Sequence, residues 1–538
     1  MSGRRRPNGV RPELATTRAG QFPERDAPGD VPHLGEVNEP RRTTRRAVAG
    51  RWLGPLGAVA VYHLLPTGAD GLSRGGRATT AVAALMAVWW VTEALPLPVT
   101  ALVPVVLFPL TGAMDLPATV APYAHELIFL FLGGFVLAIA MQRWGLHRRI
   151  ALMTVRAVGT DARRMIAGFM LASATLSMWV SNTATAVMML PIGVSVLGLV
   201  AARFADATGH GVDRPLTGEG APNLSTALML GIAYAASIGS LGTIIGTPPN
   251  AFLIGYLSQS QGITIGFGQW MLFAVPLSMV FLVIAWLVLT RWLYPPEIDA
   301  IPGGRELIQS ELDRLGPVSR GERRVAVVFG ATASAWVLNS LLGGLWEDTF
   351  LGNVGDATIA IAATIVLFAL PIDAEHGTFA LDWSAASGLP WDILLLFGGG
   401  LSLAAAVSAN GVDRFVGAQV HALAQMPLWL LVAAVVAGII VLTEMTSNTA
   451  TAAALIPIIG GSALALGVDP LVLAVPAALA ATCAFALPVA TPPNAIVFGS
   501  GHVTVAQMTR AGVVLNVIGV VLITLVTLLL AGPVFGAG

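Results

Sequence analysis

The sequence predicts an all-α polytopic membrane protein with about 11 transmembrane helices, two re-entrant helical hairpins and an inverted internal repeat. Of its 538 residues, 55% are hydrophobic and 11% are charged, whereas soluble proteins carry about 25% charged residues. Apolar stretches of about 20 residues, the length that crosses a bilayer, alternate with short polar segments. Two sequence motifs also occur twice, in the same order in each half.

The composition excludes several kinds of enzyme site. A single cysteine rules out a disulfide framework, dithiol redox chemistry and zinc sites built on thiolates. All 29 basic residues are arginine, so a lysine Schiff base and a Walker-type phosphate-binding loop are excluded as well. The polar loop at 291–324 offers neither a paired acid and base nor an activated nucleophile. We therefore predict no enzyme activity, no catalytic residue and no nucleic-acid partner.

Residues 1–50 are rich in arginine and poor in large apolar side chains, so this tail cannot bury enough surface to offset its ordering entropy. We expect it to be disordered and cytoplasmic. With the tail inside, 26 of the 29 arginines lie on the cytoplasmic side and only Arg74, Arg77 and Arg414 lie outside. This distribution predicts a multi-pass protein of the inner (cytoplasmic) membrane with its carboxyl terminus outside.

The apolar segments give the predicted elements in order. They lie at 52–66, 79–95, 98–114, 127–143, 165–200, 226–257, 270–293, 324–343, 357–372, 392–409, 428–467, 472–499 and 512–534. Residues 165–200 carry no charge, yet one straight helix of this length would span about 54 Å against a hydrocarbon core of about 30 Å. Arginines flank both ends and a Ser-Asn-Thr cluster lies in the middle, as in a hairpin that enters and returns on one side. Residues 428–467 have the same construction.

The internal repeat has two parts. SNTATAVMMLPI at 181–192 recurs as SNTATAAALIPI at 447–458, with eight of twelve positions identical, and TPPNAFLIG at 247–255 recurs as TPPNAIVFG at 491–499. The two hairpins are separated by five predicted crossings, an odd number, so the repeats have opposite orientation in the membrane. Inverted repeats with broken helices are a common plan of secondary transporters, whose binding site lies at the repeat interface near the midplane.

The motif residues suit ion binding better than catalysis. Because proline lacks an N–H group, we expect the first helix to break at Gly246-Thr247-Pro248-Pro249 and the second at its equivalent. Unwound carbonyls in a membrane need partners, and with the Ser, Thr and Asn oxygens of the hairpin tip they form an oxygen cage for a small alkali ion. Ser177 and Thr443 precede the motif serines by one helical turn and are natural additional ligands.

The same segments can also hold an anion. Asparagine amides, threonine hydroxyls and half-helix amino termini all donate hydrogen bonds and favour negative charge. No cationic residue lies beside either motif, so a dianion held alone would be costly and bound cations would offset that cost. Glu444 precedes Ser447 by three residues; it can support the hairpin tip through backbone hydrogen bonds, which we favour, or relay protons.

Paired Ser-Asn-Thr hairpins and paired Thr-Pro-Pro-Asn breaks resemble the divalent anion/sodium symporter family over about residues 52–535. The resemblance implies a homodimer in which each protomer has a scaffold and a transport domain that moves as an elevator. It implies first scaffold helices at 51–120, a first transport repeat at 121–268, linking scaffold helices with a cytoplasmic loop at 269–390, and the second inverted transport repeat with the last helix at 391–538.

The resemblance also implies site residues, carried over position by position. One sodium site would use Ser177, Ser181, Asn182 and the Gly246 carbonyl, and the other would use Thr443, Ser447, Asn448 and the Ala490 carbonyl. Substrate carboxylates would meet Ser181, Asn182, Thr183 and Thr247 in one half and Ser447, Asn448, Thr449, Thr491 and Pro492 in the other. Co-transported sodium ions at two or more sites are therefore expected.

These observations predict sodium-coupled symport of C4-dicarboxylates such as succinate, malate and fumarate, with a small dianion and membrane lipid as partners. A sodium-coupled citrate or sulfate carrier, or a sodium-independent dicarboxylate exchanger, is the alternative, because Ser, Thr and Asn bind any carboxylate or oxyanion. Retention of Ser177 and Thr443 favours symport. A sodium/proton antiporter would need a buried aspartate pair at the breaks, and neither motif has one beside it.

Overall fold

The computed structural model describes residues 45–67, 71–159, 161–208, 223–301, 303–342, 349–419 and 425–536. The first half of the described chain contains helices α1 Arg45–Leu64, α2 Arg74–Thr92, α3 Leu97–Thr100, α4 Val103–Thr111, α5 Leu116–Val120, α6 Glu126–Arg143, α7 Leu146–Val158, α8 Ala162–Ser177, α9 Asn182–Thr208, α10 Asn223–Ser240, α11 Pro248–Gln261 and α12 Phe267–Leu287. The second half contains α13 Gly304–Leu315, α14 Arg320–Leu342, α15 Asp356–Ala369, α16 Trp383–Ala386, α17 Trp391–Ala409, α18 Val412–Gln419, α19 Leu428–Thr443, α20 Asn448–Ala465, α21 Pro470–Thr482, α22 Pro492–Gly499 and α23 Val505–Phe535. A short antiparallel pair, β1 Pro371–Asp373 and β2 Thr378–Phe379, follows α15.

The amino-terminal helix begins earlier than expected. The predicted disordered tail ran to residue 50, but α1 starts at Arg45, so residues 45–50 are helical. Ala47 and Gly50 are buried, and a Cβ built on Gly50 would overlap the Thr92 side chain of α2, so packing against α2 explains the longer helix. Residues 1–44 of the tail lie outside the described residues.

The all-α membrane class is confirmed. Among the described residues, 6 helices are long and apolar enough to cross a membrane: Leu116–Arg143, Asn182–Ala201, Phe267–Leu293, Arg320–Leu342, Trp391–Ala409 and Val505–Phe535. Shorter apolar helices occur at Leu97–Thr111, Asp356–Ala369, Leu428–Thr443, Asn448–Leu464 and Pro470–Thr482. The count of about 11 crossings and the re-entrant course of the two hairpins stay predictions.

Both long apolar segments are broken at the Ser-Asn-Thr motif. Helix α8 ends at Ser177 and α9 begins at Asn182, while α19 ends at Thr443 and α20 begins at Asn448. In the second repeat Ser447 is the N-cap of α20, since its hydroxyl accepts the Ala450 N–H. Ser181 makes the same contact, because its hydroxyl accepts the Ala184 N–H at 3.2 Å. Each motif serine therefore supports the start of a half-helix.

The breaks at the second motif lie ahead of the prolines, which corrects the predicted position at Gly246-Thr247-Pro248-Pro249. Helix α10 ends at Ser240 and α11 begins at Pro248 itself. The reason is that a missing N–H group costs nothing in the first turn of a helix. Proline also forces the preceding residue into extended geometry, and Thr247 has φ −146° and ψ 142°. In the second repeat the break likewise runs from the end of α21 to Pro492.

The two repeats interlock around these breaks. Helix α11 of the first repeat packs against α20 and α21 of the second, and α22 of the second packs against α9 and α10 of the first. Small residues permit the close approach, since a Cβ built on Gly460 of α20 would lie 2.5 Å from the Tyr256 ring of α11. The half-helices that follow each Thr-Pro-Pro-Asn motif therefore contribute to the core of the other repeat.

Helix α7, which connects α6 to α8, forms ion pairs and hydrogen bonds with the segment that carries α13 and α14. Arg149 forms a two-pronged ion pair with Glu322 and also donates to the Gly316 carbonyl at 3.0 Å. The side chains of Arg149 and Glu322 are 15% and 5% exposed. Arg148 forms a second ion pair with Glu311 at 3.1 Å. The start of the first hairpin segment thus follows a firmly held connecting helix.

Candidate functional site

The first half of the site is built by the ends of α8 and α9. Ser177, the last residue of α8, is fully buried, and its hydroxyl donates to the Asn182 Oδ1 at 2.7 Å. The Asn182 amide in turn donates to the Ser240 hydroxyl at 3.2 Å, at the end of α10. The hydroxyl of Ser240 donates to the Ser237 carbonyl at 2.8 Å. A chain of neutral oxygens therefore connects the hairpin tip to the broken helix.

The second half repeats this arrangement. Thr443 is the last residue of α19 and is fully buried, and its hydroxyl lies 2.7 Å from the Asn448 Oδ1. The same hydroxyl lies 2.9 Å from the Ala481 carbonyl at the end of α21. The predicted pairs Ser177 with Asn182 and Thr443 with Asn448 are therefore in contact. Hydroxyl, amide and carbonyl oxygens are hard, neutral ligands that suit an alkali ion.

The asparagines of the Thr-Pro-Pro-Asn motifs hold the unwound segments in shape. Asn250 is fully buried, and its amide donates to the Leu241 and Thr243 carbonyls at 3.2 and 2.9 Å. Asn494, also fully buried, donates to the Ala484 and Leu487 carbonyls at 3.2 and 3.0 Å. These bonds satisfy carbonyls that lost their helical partners, so both asparagines have a structural role that is equivalent in the two repeats.

Glycine is required at position 246 because the backbone there lies very close to the backbone at the end of α10. A Cβ built on this residue would lie 2.3 Å from the Ser240 carbonyl oxygen, so only glycine is accommodated there. Ser240 thus contacts the hairpin tip through its hydroxyl and the unwound segment through its backbone. The Gly246 and Ala490 backbones, whose carbonyls were predicted to bind sodium, belong to the two breaks, and both residues are buried.

Glu444 ties the second hairpin tip to the second unwound segment. Its Oε1 accepts the N–H groups of Phe485 and Ala486 at 2.7 and 2.8 Å, and its Oε2 accepts that of Leu487 at 3.0 Å. The Asn516 amide of α23 donates to the same Oε1 at 2.7 Å. The supporting role predicted for this carboxylate, backbone hydrogen bonding near the hairpin tip, is therefore confirmed by the geometry.

The predicted substrate residues differ in accessibility. Ser181, Thr183 and Pro492 are exposed, and Asn182, Ser447, Asn448 and Thr449 are partly buried. Thr491 is 4% exposed and caps α22, and Thr247 is 3% exposed with its hydroxyl 3.4 Å from that of Thr482 in the second repeat. Within the described residues, no hydrogen bond joins the first Ser-Asn-Thr segment to the second.

Four contributors were missed by the sequence prediction: Ser240, Asn250, Thr482 and Asn494. The recurrence of asparagine at 250 and 494 was a signal for the clamps, since both stand at one place in the repeated motif. Ser240 and Thr482 offered no such signal, because the other repeat has Ala484 and Ile238 at the corresponding positions. Among the described residues, no group of three His, Cys, Asp or Glu side chains could hold a metal ion, so the oxygens above are the candidate cation ligands.

Comparisons with known proteins identify the family of the chain. The family described as "Sodium:sulfate symporter transmembrane region" matches residues 51–536. The chain is a member of this family. A relative named sodium-dependent dicarboxylate transporter SdcS, from Staphylococcus saprophyticus, is 40% identical over 490 residues, which cover 91% of this chain and 92% of the relative. The protein of the same name from Staphylococcus aureus (strain USA300) is 40% identical over 479 residues, 89% of this chain and 90% of the relative.

Solved structures support the fold of this sodium:sulfate symporter family member. The Alcanivorax borkumensis YdaH transporter matches with a TM-score of 0.53 and 14% identity, over 90% of this chain and 98% of that chain. Neisseria gonorrhoeae MtrF, described as illuminating a class of antimetabolite efflux pumps, matches with a TM-score of 0.50 and 12% identity, over 88% and 96%. At these identities the likeness concerns the fold alone. The family match and the helices of membrane-spanning length show that the chain is a multi-pass membrane protein of a transporter family.

Proposed function

We propose that this protein is a sodium-coupled symporter of C4-dicarboxylates such as succinate, malate and fumarate. The observation that carries the proposal is the duplicated pair of a buried hydroxyl and an asparagine, Ser177 with Asn182 and Thr443 with Asn448, each beside an unwound helix. The names of the SdcS relatives, sodium-dependent dicarboxylate transporter, support sodium as the ion and dicarboxylates as the substrate class.

Coupling follows from the charge of the site. Each half offers neutral oxygens and amide groups, so a dianion bound alone would be held without a compensating positive charge at low dielectric. Two sodium ions, one at each hydroxyl–asparagine pair, would supply that charge, and the motif residues Thr183, Thr449, Thr491 and Pro492 would meet the carboxylates. Because the sodium ions and the dianion compensate each other's charge in this arrangement, neither would cross the membrane readily without the other.

Uptake into proteoliposomes tests the proposal. Labelled succinate should accumulate with an inward sodium gradient, and it should not accumulate when potassium replaces sodium. Asn182→Ala and Asn448→Ala should each lower uptake by about a hundredfold or more, because the remaining hydroxyl keeps only part of the cage. The matched control Asn353→Ala changes an exposed asparagine and should retain wild-type uptake. Equal uptake in sodium and potassium would contradict symport.

Substrate competition separates the alternatives. Unlabelled succinate, citrate and sulfate should be added in turn against labelled succinate in the same vesicles. The family description names sulfate. If unlabelled sulfate inhibits uptake at lower concentrations than unlabelled succinate does, the result would favour the sulfate carrier. Sodium-independent exchange that requires internal dicarboxylate would instead favour the exchanger.

We also place the protein in the membrane as a homodimer with an elevator-type transport domain, two re-entrant hairpins, a cytoplasmic amino terminus and an outer carboxyl terminus. The interlocked repeats support this plan, because the broken helices of both halves share one core and can move together. Protease removal of an epitope tag placed after Gly538 should occur in intact cells, whereas the same tag before Met1 should be protected. The opposite pattern would overturn the orientation.

A further inference from the structure

A cavity of about 480 Å³ lies between helix α7 and helix α13. The two helices pack against each other, and on each of them the lining residues recur at the spacing of a single helix face. These residues are Arg149, Met153 and Arg156 of α7 and Gln309, Leu312 and Asp313 of α13. Charged, polar and apolar groups therefore face the same space.

The cavity adjoins the ends of two helices of membrane-spanning length. Helix α7 begins at Leu146, just after the apolar helix Leu116–Arg143 ends. The apolar helix Arg320–Leu342 begins just after Pro317, which also lines the cavity. Because the ends of spanning helices lie at the headgroup level of a bilayer, lipid headgroups have direct access to this space. Met153 is 50% exposed there and offers an apolar surface to the adjoining part of a lipid.

Two opposite charges of the lining are held apart by one neutral side chain. The charge of Arg149 is compensated by its ion pair with Glu322. Among the described residues Arg156 has no carboxylate partner, and its guanidinium donates to the Gln309 Oε1 at 3.2 Å. The Gln309 amide in turn donates to the Asp313 Oδ1 at 2.8 Å. The lining thus presents a separate cation and anion, and both of these side chains are exposed.

We infer that this cavity binds the headgroup of phosphatidylethanolamine, a role that goes beyond the proposed transport of dicarboxylates and does not depend on it. The lipid phosphate would accept hydrogen bonds from Arg156, because a guanidinium pairs well with phosphate oxygens. The lipid ammonium would donate to Asp313. In this headgroup a short ethylene link separates the phosphate from the ammonium, as Gln309 separates the two charged side chains. The glycerol and acyl groups would lie along Met153.

Other common headgroups complement the lining less well. Phosphatidylglycerol offers the same phosphate to Arg156 but brings no cation to Asp313, so the carboxylate would repel it. The trimethylated ammonium of phosphatidylcholine has no N–H group and cannot form a charge-assisted hydrogen bond with the carboxylate. The paired charges of the lining therefore favour the ethanolamine headgroup.

Lipid titration followed by native mass spectrometry tests the site. The purified full-length protein in detergent is mixed with dioleoyl phosphatidylethanolamine or with phosphatidylglycerol of the same acyl chains, and the lipid-bound fraction is measured. The wild type should bind phosphatidylethanolamine about three- to tenfold more tightly, as expected for one additional exposed ionic contact. Asp313→Asn should lower that affinity and remove the preference, because only the ethanolamine headgroup carries an ammonium. Arg156→Gln should weaken the binding of both lipids by about three- to tenfold, because both carry the phosphate.

Two matched controls make the same chemical changes outside the cavity lining. Arg164→Gln replaces an arginine whose side chain is 68% exposed, and Glu306→Gln replaces an exposed carboxylate of α13; both variants should keep the wild-type affinities for the two lipids. Equal binding of the two lipids by the wild type, unchanged binding in Arg156→Gln, or equal losses for both lipids in Asp313→Asn would each overturn the proposed site. Size-exclusion profiles show whether each variant is folded.

A competition arm distinguishes the lipid from its free headgroup. Water-soluble phosphoethanolamine carries the same two charges but lacks the apolar groups that would lie along Met153. It should displace the lipid only at concentrations at least about a hundredfold higher than those at which the lipid binds. Displacement at equal concentrations would overturn the lipid as the ligand of this cavity.

Discussion

Glu444→Gln should loosen the second unwound segment selectively. The side-chain oxygen of the glutamine can still accept the three hydrogen bonds that now reach Oε1. Its NH2 group, however, would replace Oε2, which now accepts the Leu487 N–H at 3.0 Å, so two donors would face each other. Three bonds to a charged acceptor weaken by about 1 kcal/mol each, and one buried donor loses its partner at about 1–3 kcal/mol. Burying a neutral amide has a lower desolvation free energy than burying a carboxylate, and this difference offsets part of the lost hydrogen-bond energy. We expect a net loss of about 3 kcal/mol for the closed segment.

The chain carries its own reporter for this opening. Cys483 is the single cysteine of the protein, is 1% exposed, and lies two residues before the first N–H group that Glu444 holds. A membrane-permeant maleimide reacts with it only when the segment opens, so the labelling rate follows the opening equilibrium. A loss of 3 kcal/mol corresponds to an increase of about a hundredfold in that rate. Mass spectrometry of the intact protein measures the labelled fraction over time.

Two further variants bracket the result. Asn516→Ala removes one of the four donors and should accelerate labelling by about tenfold, because a bond to a charged acceptor contributes about 1.5 kcal/mol. Glu306→Gln makes the same chemical change at an exposed carboxylate of α13 and should leave the rate unchanged. If Glu444→Gln labels at the wild-type rate, the carboxylate does not hold the segment closed and the reasoning is refuted.

Three other substitutions test the remaining contacts. Ser240→Ala removes the acceptor of the Asn182 amide and should raise the half-saturating sodium concentration for uptake by about tenfold. Ala484→Ser, the substitution at the corresponding position of the other repeat, should change that concentration by less than about twofold. Equal effects of the two substitutions would contradict a role of Ser240 in sodium binding. Gly246→Ala places a Cβ 2.3 Å from a backbone oxygen and should abolish uptake with loss of the monodisperse size-exclusion peak, and wild-type behaviour would contradict the close approach. Arg149→Leu leaves the buried Glu322 carboxylate without its ion-pair partner and should lower the free energy of unfolding by about 3–5 kcal/mol, measured by thermal unfolding. The double variant Arg149→Leu with Glu322→Leu should regain part of this stability.

The sequence was sufficient to locate the elements that matter because their signals are local and repeated. A Ser-Asn-Thr cluster in an uncharged apolar segment of twice the usual length predicts a break there, and the structure has α8 ending at Ser177 and α9 starting at Asn182. The position of the second kind of break was less well predicted. Proline marks where a helix can begin as well as where one must stop, and here Pro248 begins α11 while the unwinding precedes it.

Long-range partners could not be predicted in the same way. Ser177 and Asn182 are close in sequence and were expected to act together, and their 2.7 Å contact is local. The 3.4 Å approach of Thr247 to Thr482 joins residues far apart in the chain, and it depends on how α11 packs into the second repeat. A single sequence carries no information on such packing, so the contact of Thr247 with the other repeat was not predicted, and its role in substrate binding stays a prediction.

Sequence identity between the repeats also conceals a difference in how each tip is held. In the first repeat the Thr243 hydroxyl of the unwound segment donates to the Met178 carbonyl of the hairpin tip. At the corresponding positions of the second repeat, the Leu487 N–H donates to the Glu444 carboxylate. The same two points are joined in both halves, once through a neutral side chain and a carbonyl and once through a buried charge. The Glu444 carboxylate accepts four donors, whereas the Thr243 hydroxyl makes one bond, so the charged link contributes more to holding its own break closed than the neutral link does. The symmetric motifs therefore place equivalent hydroxyl and asparagine oxygens in both halves, while the supports behind them differ: a buried carboxylate in one half and a hydroxyl–carbonyl bond in the other.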